Sequence, residues 1–175
     1  MTTAEKTGTI LVAIDGSRNS MLAAGVGARM ARLLNTRLGL VHVLEMPALG
    51  FWVGVDTRMK DDVRDQAEKQ LTEISEKMAA VCNVVPEFYI LEGLPDVKIA
   101  QVANDDPEVI MVVAGRHGIA TEKHSHLKLR RAAGRLSTKL AEHLRMPLLV
   151  VPPDVPLSHI CPAMMDMHPD GGADA

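Results

Sequence analysis

Short runs of continuously apolar residues, separated by longer helix-like stretches, are the feature that most constrains the fold of this chain. The clearest run, residues 109–114, reads Val-Ile-Met-Val-Val-Ala and stops at Gly115. A strand that is apolar throughout is buried on both faces, and a parallel sheet covered by helices requires such strands. The sequence therefore predicts an α/β protein with an open parallel sheet.

The alternation of strand-like and helix-like segments predicts right-handed strand–helix–strand units. Pro86 lies in the third apolar run and places it at an edge of the sheet or delays its start, because proline cannot donate to a strand ladder. Helices are predicted after a cap at Ser17 or Asn19, over 60–82, over 94–103 and after Gly134. The five predicted strands are residues 9–14, 37–43, 84–90, 108–114 and 147–151.

Composition narrows the classes of function. Hydrophobic residues make up 47% of the chain and aromatic residues only 2%, so the core is aliphatic and stacking platforms for single-stranded nucleic acid are scarce. The net charge of −3 gives no overall attraction for a polyanion, and no nucleic-acid partner is predicted. No segment reaches the about 18 apolar residues of a membrane helix, so we expect a cytoplasmic protein without membrane insertion.

Two further expectations concern the cysteines and the end of the chain. Cys82 and Cys161 are too few and too far apart to predict a disulfide framework. The segment after Pro152 is rich in Pro, Met, His and Asp and has no periodicity, so we expect it to lie outside the core. No metal site is predicted.

Polar and glycine residues follow two of the predicted strands at the same edge of the sheet. Gly115 and Gly118 come after the fourth strand, and glycine-rich turns that lead into helices are favourable places for phosphate. Asp15 ends the first strand and has two interpretations. It either caps the next helix through a turn, or it contacts a ligand in the crevice where open α/β sheets bind their ligands.

Five motifs in order resemble the universal stress protein family in its single-domain form. They read ILVAIDGS at 10–17, LVHV at 40–43, VVAGRHG at 112–118, GRLSTKL at 134–140 and MPLLVVP at 146–152. The resemblance implies a sheet of strand order 3-2-1-4-5 with helices on both faces, the adenine nucleotide alpha hydrolase-like fold. It covers a domain of residues 8–153 and leaves a C-terminal tail of 154–175. It also implies a homodimer, which we place at the last strand, 147–151, because a sheet edge exposes unpaired backbone groups.

The ATP-binding branch of that family carries the signature Gly-two residues-Gly-nine residues-Gly-Ser/Thr, and likeness to it implies roles for the matching residues. Asp15 would contact the ribose or the adenine, and Val43 would present its backbone to the adenine edge. Gly115 and Gly118 would line the ribose and phosphates, and Gly134 with the hydroxyl residues after it would hold the triphosphate. The implied ligand is ATP or another adenine nucleotide, with or without Mg²⁺, bound by Asp15, Val43, Gly115, Gly118, Gly134, Arg135, Ser137 and Thr138.

The second half of this signature departs from the family pattern. Fifteen residues, not nine, separate Gly118 from Gly134. Arg135 stands where a hydroxyl residue is expected, and Ser137 and Thr138 lie further along the chain. The segment 119–133 is therefore an enlarged insertion, and it carries a net charge of +3.

Two functions follow from this pattern. The first is a stress-response or signalling protein that binds an adenine nucleotide and acts through an unknown protein partner. The alternative is a protein-interaction module without a nucleotide, which uses the basic insertion 119–133 and the C-terminal tail as binding surfaces. The sequence contains no Gly-x-Ser-x-Gly elbow and no Walker-type loop, so we expect no enzymatic activity beyond slow ATP hydrolysis.

Overall fold

The computed structural model of the chain describes residues 6–45, 56–116 and 136–161. The predictions for Gly118, Gly134, Arg135 and the insertion 119–133 lie outside the described residues. The last 14 residues of the predicted tail, 162–175, lie outside them as well.

Five strands form one parallel sheet, in the order that the resemblance implies. They are β1 (Thr9–Ile14), β2 (Arg37–Leu44), β3 (Glu87–Glu92), β4 (Val109–Gly115) and β5 (Leu148–Val151), arranged β3-β2-β1-β4-β5. All four ladders are parallel. Only β3 starts clearly later than predicted. Pro86 has no amide hydrogen to donate, and the pairing with β2 begins at Glu87 opposite Gly39.

Within the described ranges, four α-helices connect and flank the strands. They are α1 (Arg18–Leu34), α2 (Asp56–Lys77), α3 (Pro95–Asp105) and α4 (Leu136–His143). Of the two predicted caps of α1, Ser17 is the one observed, since its hydroxyl accepts a hydrogen bond of 3.2 Å from the amide of Ser20. α2 continues as a π-helical turn, Met78–Cys82, and a 3-10 turn, Leu157–His159, follows β5.

The side chains of β1 alternate between two cores, which confirms that helices cover both faces of the sheet. Ile10, Val12 and Ile14 pack in one buried cluster with α1 and the inner face of α2. Leu11 and Ala13 pack in a second cluster with α3 and α4. Such a strand has no solvent face, and for that reason its sequence is apolar throughout. No helix in the described part of the chain is long and apolar enough to cross a membrane.

The residues after β5 correct two predictions. Ile160 and Cys161 are only 2% and 5% exposed, so the expectation that the segment after Pro152 lies outside the core is wrong for them. Cys82 and Cys161 form a disulfide, although 79 positions separate them in the sequence. The physical reason is the return of the chain from β5 to α1, where the amide of Cys161 donates to the carbonyl oxygen of Gly25 at 3.0 Å. We call residues 152–161 the C-terminal strap.

Candidate functional site

A crevice with a volume of about 370 Å³ opens at the carboxyl ends of β1, β2 and β4. From β1 the chain adds β2 and β3 on one side of the sheet and β4 and β5 on the other. Open α/β sheets bind ligands at such a switch point, here between β1 and β4. The first turns of α1, α3 and α4 form the sides of the crevice, because helices that follow parallel strands begin at the same edge. The described lining residues include Ala13, Asp15, Ser17, Asn19, Ser20, Val41, Val43, Glu45, Leu94, Pro95, Asp96, Ile99, Gly115, Leu136 and Lys139.

Asp15 closes the turn into α1 and lines the crevice, and its predicted contact with a ligand stays a prediction. Its carboxylate accepts a hydrogen bond of 2.9 Å from the amide of Ser17, which closes the turn into α1. Its own amide donates to the hydroxyl of Ser20 at 3.3 Å. Gly16 lies between them with a φ of 80°, a conformation that side chains disfavour. The turn thus holds an exposed carboxylate at the wall of the crevice.

Gly115 lines the crevice, and it also permits a close contact between β4 and α1. A Cβ atom at this position would lie 2.5 Å from the carbonyl oxygen of Asn19 and 3.1 Å from the amide nitrogen of Ser20. Both atoms belong to the backbone of α1 and cannot rotate away. The position therefore requires glycine for packing, apart from any ligand that approaches it.

The end of β2 supplies a third part of the site. Val43 lines the crevice as predicted, and Val41 lies deeper on the same side of the strand. The ring of His42 bridges the two central strands through a contact of 2.8 Å between Nδ1 and the carbonyl oxygen of Ile14. Because a carbonyl can only accept, Nδ1 carries the proton and donates. This bond fixes the ends of β1 and β2 relative to each other.

Sequence reasoning missed the two charged side chains on the opposite wall. Lys139 of α4 forms an ion pair of 3.0 Å with Asp96 in the first turn of α3. The hydrogen bond from Lys139 holds the pKa of the Asp96 carboxyl below its ordinary value of 3.8. The first turn of a helix after a parallel strand lies at the crevice edge, so the position of Asp96 was a signal available in the sequence.

The first turn of α4 contributes two residues to the described lining of the crevice. Leu136 and Lys139, three positions apart on one side of the helix, are lining residues, whereas Ser137 and Thr138 are not among them. Thr138 is exposed. The predicted contact of these two hydroxyls with phosphate therefore stays a prediction.

The described walls of the crevice are predominantly negative. Three carboxylates, those of Asp15, Glu45 and Asp96, line it, and Lys139 is the cation among the described lining residues. No group of three or more His, Cys, Asp or Glu side chains that could hold a metal ion occurs within residues 6–45, 56–116 and 136–161. The remaining walls are largely aliphatic.

A comparison with models of protein families identifies the family of this chain. The family model described as "Universal stress protein family" matches residues 6–152. The chain belongs to the universal stress protein family. The match ends near β5, and the strap, apart from its first residue, lies beyond it.

Solved structures of this family share the fold. Universal stress protein UspA from Lactobacillus plantarum matches with a TM-score of 0.69 at 18% identity, over 84% of this chain and 99% of that chain. A universal stress protein in complex with cAMP matches with a TM-score of 0.53 at 18% identity, over 84% and 98% of the two chains.

A third structure, a universal stress protein from Archaeoglobus fulgidus in complex with dAMP, matches with a TM-score of 0.53 at 16% identity, over 83% of this chain and 97% of that chain. At these identities the likeness shows the fold alone. A search of curated proteins gave no match.

Proposed function

We propose that the crevice binds an adenine nucleotide and that the protein acts in a stress response or in signalling through a protein partner. The observation that carries the proposal is the convergence of Asp15, Val43 and Gly115 at one switch point of the sheet. Two relatives of the same fold are in complex with adenine nucleotides, cAMP and dAMP.

The chemistry of the walls suits the parts of such a ligand. The aliphatic side chains of Val41, Val43 and Ile99 offer an apolar surface to the adenine ring. The carboxylate of Asp15 can accept hydrogen bonds from ribose hydroxyls. Phosphates would then extend past Gly115 toward α4. Gly118, Gly134, Arg135, Ser137 and Thr138 complete the site in this proposal.

The negative charge of the described walls affects how many phosphate groups a bound nucleotide can carry. A triphosphate beside Asp15, Glu45 and Asp96 needs compensating positive charge. The insertion 119–133, with a net charge of +3, is one source. Mg²⁺ is another: it prefers oxygen ligands and neutralises phosphate charge, and Asp15 or Glu45 would supply a carboxylate oxygen. Since the described residues form no metal cluster, the phosphates would hold most of the ion.

We expect Asp15→Ala to weaken binding of an adenine nucleotide by about 1–3 kcal/mol, the range for hydrogen bonds to a charged group. Isothermal titration calorimetry with AMP, and with ATP in the presence and absence of Mg²⁺, measures this effect. Asp15→Asn keeps an oxygen that can accept from Ser17, so it separates the loss of charge from the loss of the turn. Asp61→Ala on the exposed face of α2 is the matched control.

Failure of nucleotide binding would favour the interaction module. If native mass spectrometry detects no co-purified nucleotide and the wild type gives no heat with any of these ligands, the nucleotide proposal is wrong. The basic insertion 119–133 and the tail 154–175 would then be the surfaces to test against protein partners.

We also propose a homodimer through the last strand. β5 is an edge strand with the uncharged sequence Leu-Leu-Val-Val, whereas β3 at the other edge begins at Glu87 and ends at Glu92. Charged residues discourage pairing between sheet edges, so β5 is the edge that can accept a second copy. Light scattering at tens of micromolar protein should give twice the mass of 18.9 kDa. A monomer mass would contradict the proposal.

A further inference from the structure

A second cavity, about 270 Å³ in volume, lies beside the disulfide on the face of the sheet that α1 and α2 cover. It lies between the last turns of α1, the π-helical turn and the end of the C-terminal strap. Both cysteines of the disulfide contribute to its wall, where they are 2% and 5% exposed. The described lining residues are Arg29, Arg32, Leu33, Val81, Cys82, Ile160 and Cys161.

The two cysteines are held from opposite sides of the cavity. Cys82 ends the π-helical turn and is 2% exposed, and Asn83 terminates this helix in the left-handed conformation with a φ of 54°. Cys161 is fixed through the buried side chain of Ile160 and its own hydrogen bond to Gly25. Their Cα atoms are 5.9 Å apart, within the usual range for a disulfide.

The charge around the disulfide is positive and uncompensated among the described residues. Arg29 and Arg32 are three positions apart on α1, so their side chains lie on the same side of the helix. Within the described parts of the chain neither guanidinium forms an ion pair or a hydrogen bond, and no acidic residue lines the cavity. Both arginines are exposed to solvent. They can therefore attract an anion from solution to the cavity.

The arginines would also stabilise the thiolate that forms on Cys82 when the disulfide opens. Cys82 is the last residue of a helix, where the carbonyl ends carry partial negative charge and disfavour an anion. The guanidinium groups of Arg29 and Arg32 supply the opposite charge in the same cavity. In thiol–disulfide exchange one thiolate attacks and another leaves, and both carry negative charge. Positive charge beside the disulfide therefore favours both events.

We propose that the Cys82–Cys161 disulfide is a redox-exchange site for small thiols that carry carboxylates. The thiolate of such a molecule attacks the Sγ atom of Cys161, a new S–S bond forms, and the Cys82–Cys161 bond breaks to leave a thiolate on Cys82. A second thiol molecule attacks the mixed disulfide and releases Cys161 as a thiolate. Two small thiols are oxidised to one disulfide, the protein gains two electrons, and each protein thiolate takes up a proton from water.

The position of Cys161 makes it the sulfur that is attacked. It lies at the end of the C-terminal strap, which Val155, Ile160 and one backbone hydrogen bond hold against α1 and the core, whereas Cys82 is part of a helix. A strap residue can move to accommodate a mixed disulfide more readily than a helical one. Opening the bond leaves the strap without its covalent attachment to the π-helical turn.

The test measures how the charge of the thiol affects the rate at which the disulfide opens. Glutathione thiolate has a net charge of −2 and cysteamine thiolate a net charge of 0, and alkylation followed by mass spectrometry reports the free cysteines. Removing both arginines in Arg29→Gln/Arg32→Gln should slow glutathione about five-fold or more relative to cysteamine at low salt. Both thiols lose the same stabilisation of the leaving Cys82 thiolate, and only glutathione also loses the attraction of its carboxylates. The difference should shrink at high salt, because these charges are exposed.

A matched variant controls for the change of net charge. Arg64→Gln/Arg145→Gln removes two exposed arginines that do not line the cavity, and both thiols should react with it as with the wild type. Three outcomes would overturn the proposal. The first is a natively purified protein whose Cys82 and Cys161 alkylate without reduction, and the second is a disulfide that glutathione does not open. The third is a cavity variant that reacts with both thiols as fast as the wild type or is slowed equally for both.

Discussion

Reduction of the Cys82–Cys161 disulfide should lower the free energy of unfolding by about 4 kcal/mol. The bond joins residues 79 positions apart, and in the chain-entropy account a loop of that length restricts the unfolded chain by about this amount. The midpoint of thermal unfolding should fall by on the order of 10 °C. Urea denaturation with and without a phosphine reductant measures the change.

The double variant Cys82→Ala/Cys161→Ala separates the bond from other effects of the reductant. It lacks the cross-link, so its unfolding curve should not respond to the reductant and should lie close to that of the reduced wild type. Equal stability of the oxidised and reduced wild type would show that the strap docks on α1 without help from the bond. The packing of Val155 and Ile160 and the hydrogen bond between Cys161 and Gly25 would then hold it.

The fold was predictable because its main signals are local. The run at 9–14 is apolar throughout, and its residues divide between two cores in the structure, as a strand buried on both faces must. Ser17 was predictable as a cap because the preference for a hydroxyl at a helix start depends on the neighbouring amides alone. The late start of β3 was predictable from one residue, Pro86, directly before the strand.

The candidate site was predictable only in part. Asp15 and Gly115 were predicted from their places at strand ends and Val43 from the family resemblance, and all three line the crevice. The pair of Asp96 and Lys139 was not, because its partners lie on two helices whose relative rotation no local pattern specifies. For the same reason the sequence did not distinguish Leu136 and Lys139, which face the crevice, from the hydroxyl residues between them.

The disulfide was missed because it depends on the course of a segment whose sequence has no periodicity. The sequence of residues 152–161 has no helix or strand periodicity, and its buried residues, Ile160 and Cys161, come only at its end. Loop closure over such a distance is decided by tertiary packing against α1. The counting of cysteines assumes a framework of several bonds and gives no information on a single pair.

Substitution of Gly115 by alanine should disturb both stability and ligand binding. The new Cβ would lie 2.5 Å from the carbonyl oxygen and 2.7 Å from the carbonyl carbon of Asn19, so α1 must move away from β4. Overpacking of this kind costs about 1–3 kcal/mol of unfolding free energy. Asn19 and Ser20 line the crevice, and Ser20 accepts the hydrogen bond from the amide of Asp15. Movement of α1 therefore also displaces the acidic side of the site.

Gly39→Ala provides the matched comparison, because it adds the same methyl group to a strand away from the crevice. Its Cβ would lie 3.0 Å from Leu11 Cδ1 and from Tyr89 Cε2, both of which are side-chain atoms that can shift. We expect Gly39→Ala to destabilise the protein less than Gly115→Ala and to retain nucleotide affinity. Gly115→Ala should lose affinity about ten-fold, which corresponds to about 1.4 kcal/mol. If the two variants bind the nucleotide equally well, the close contact between β4 and α1 does not shape the site, and the ligand contacts other parts of the chain.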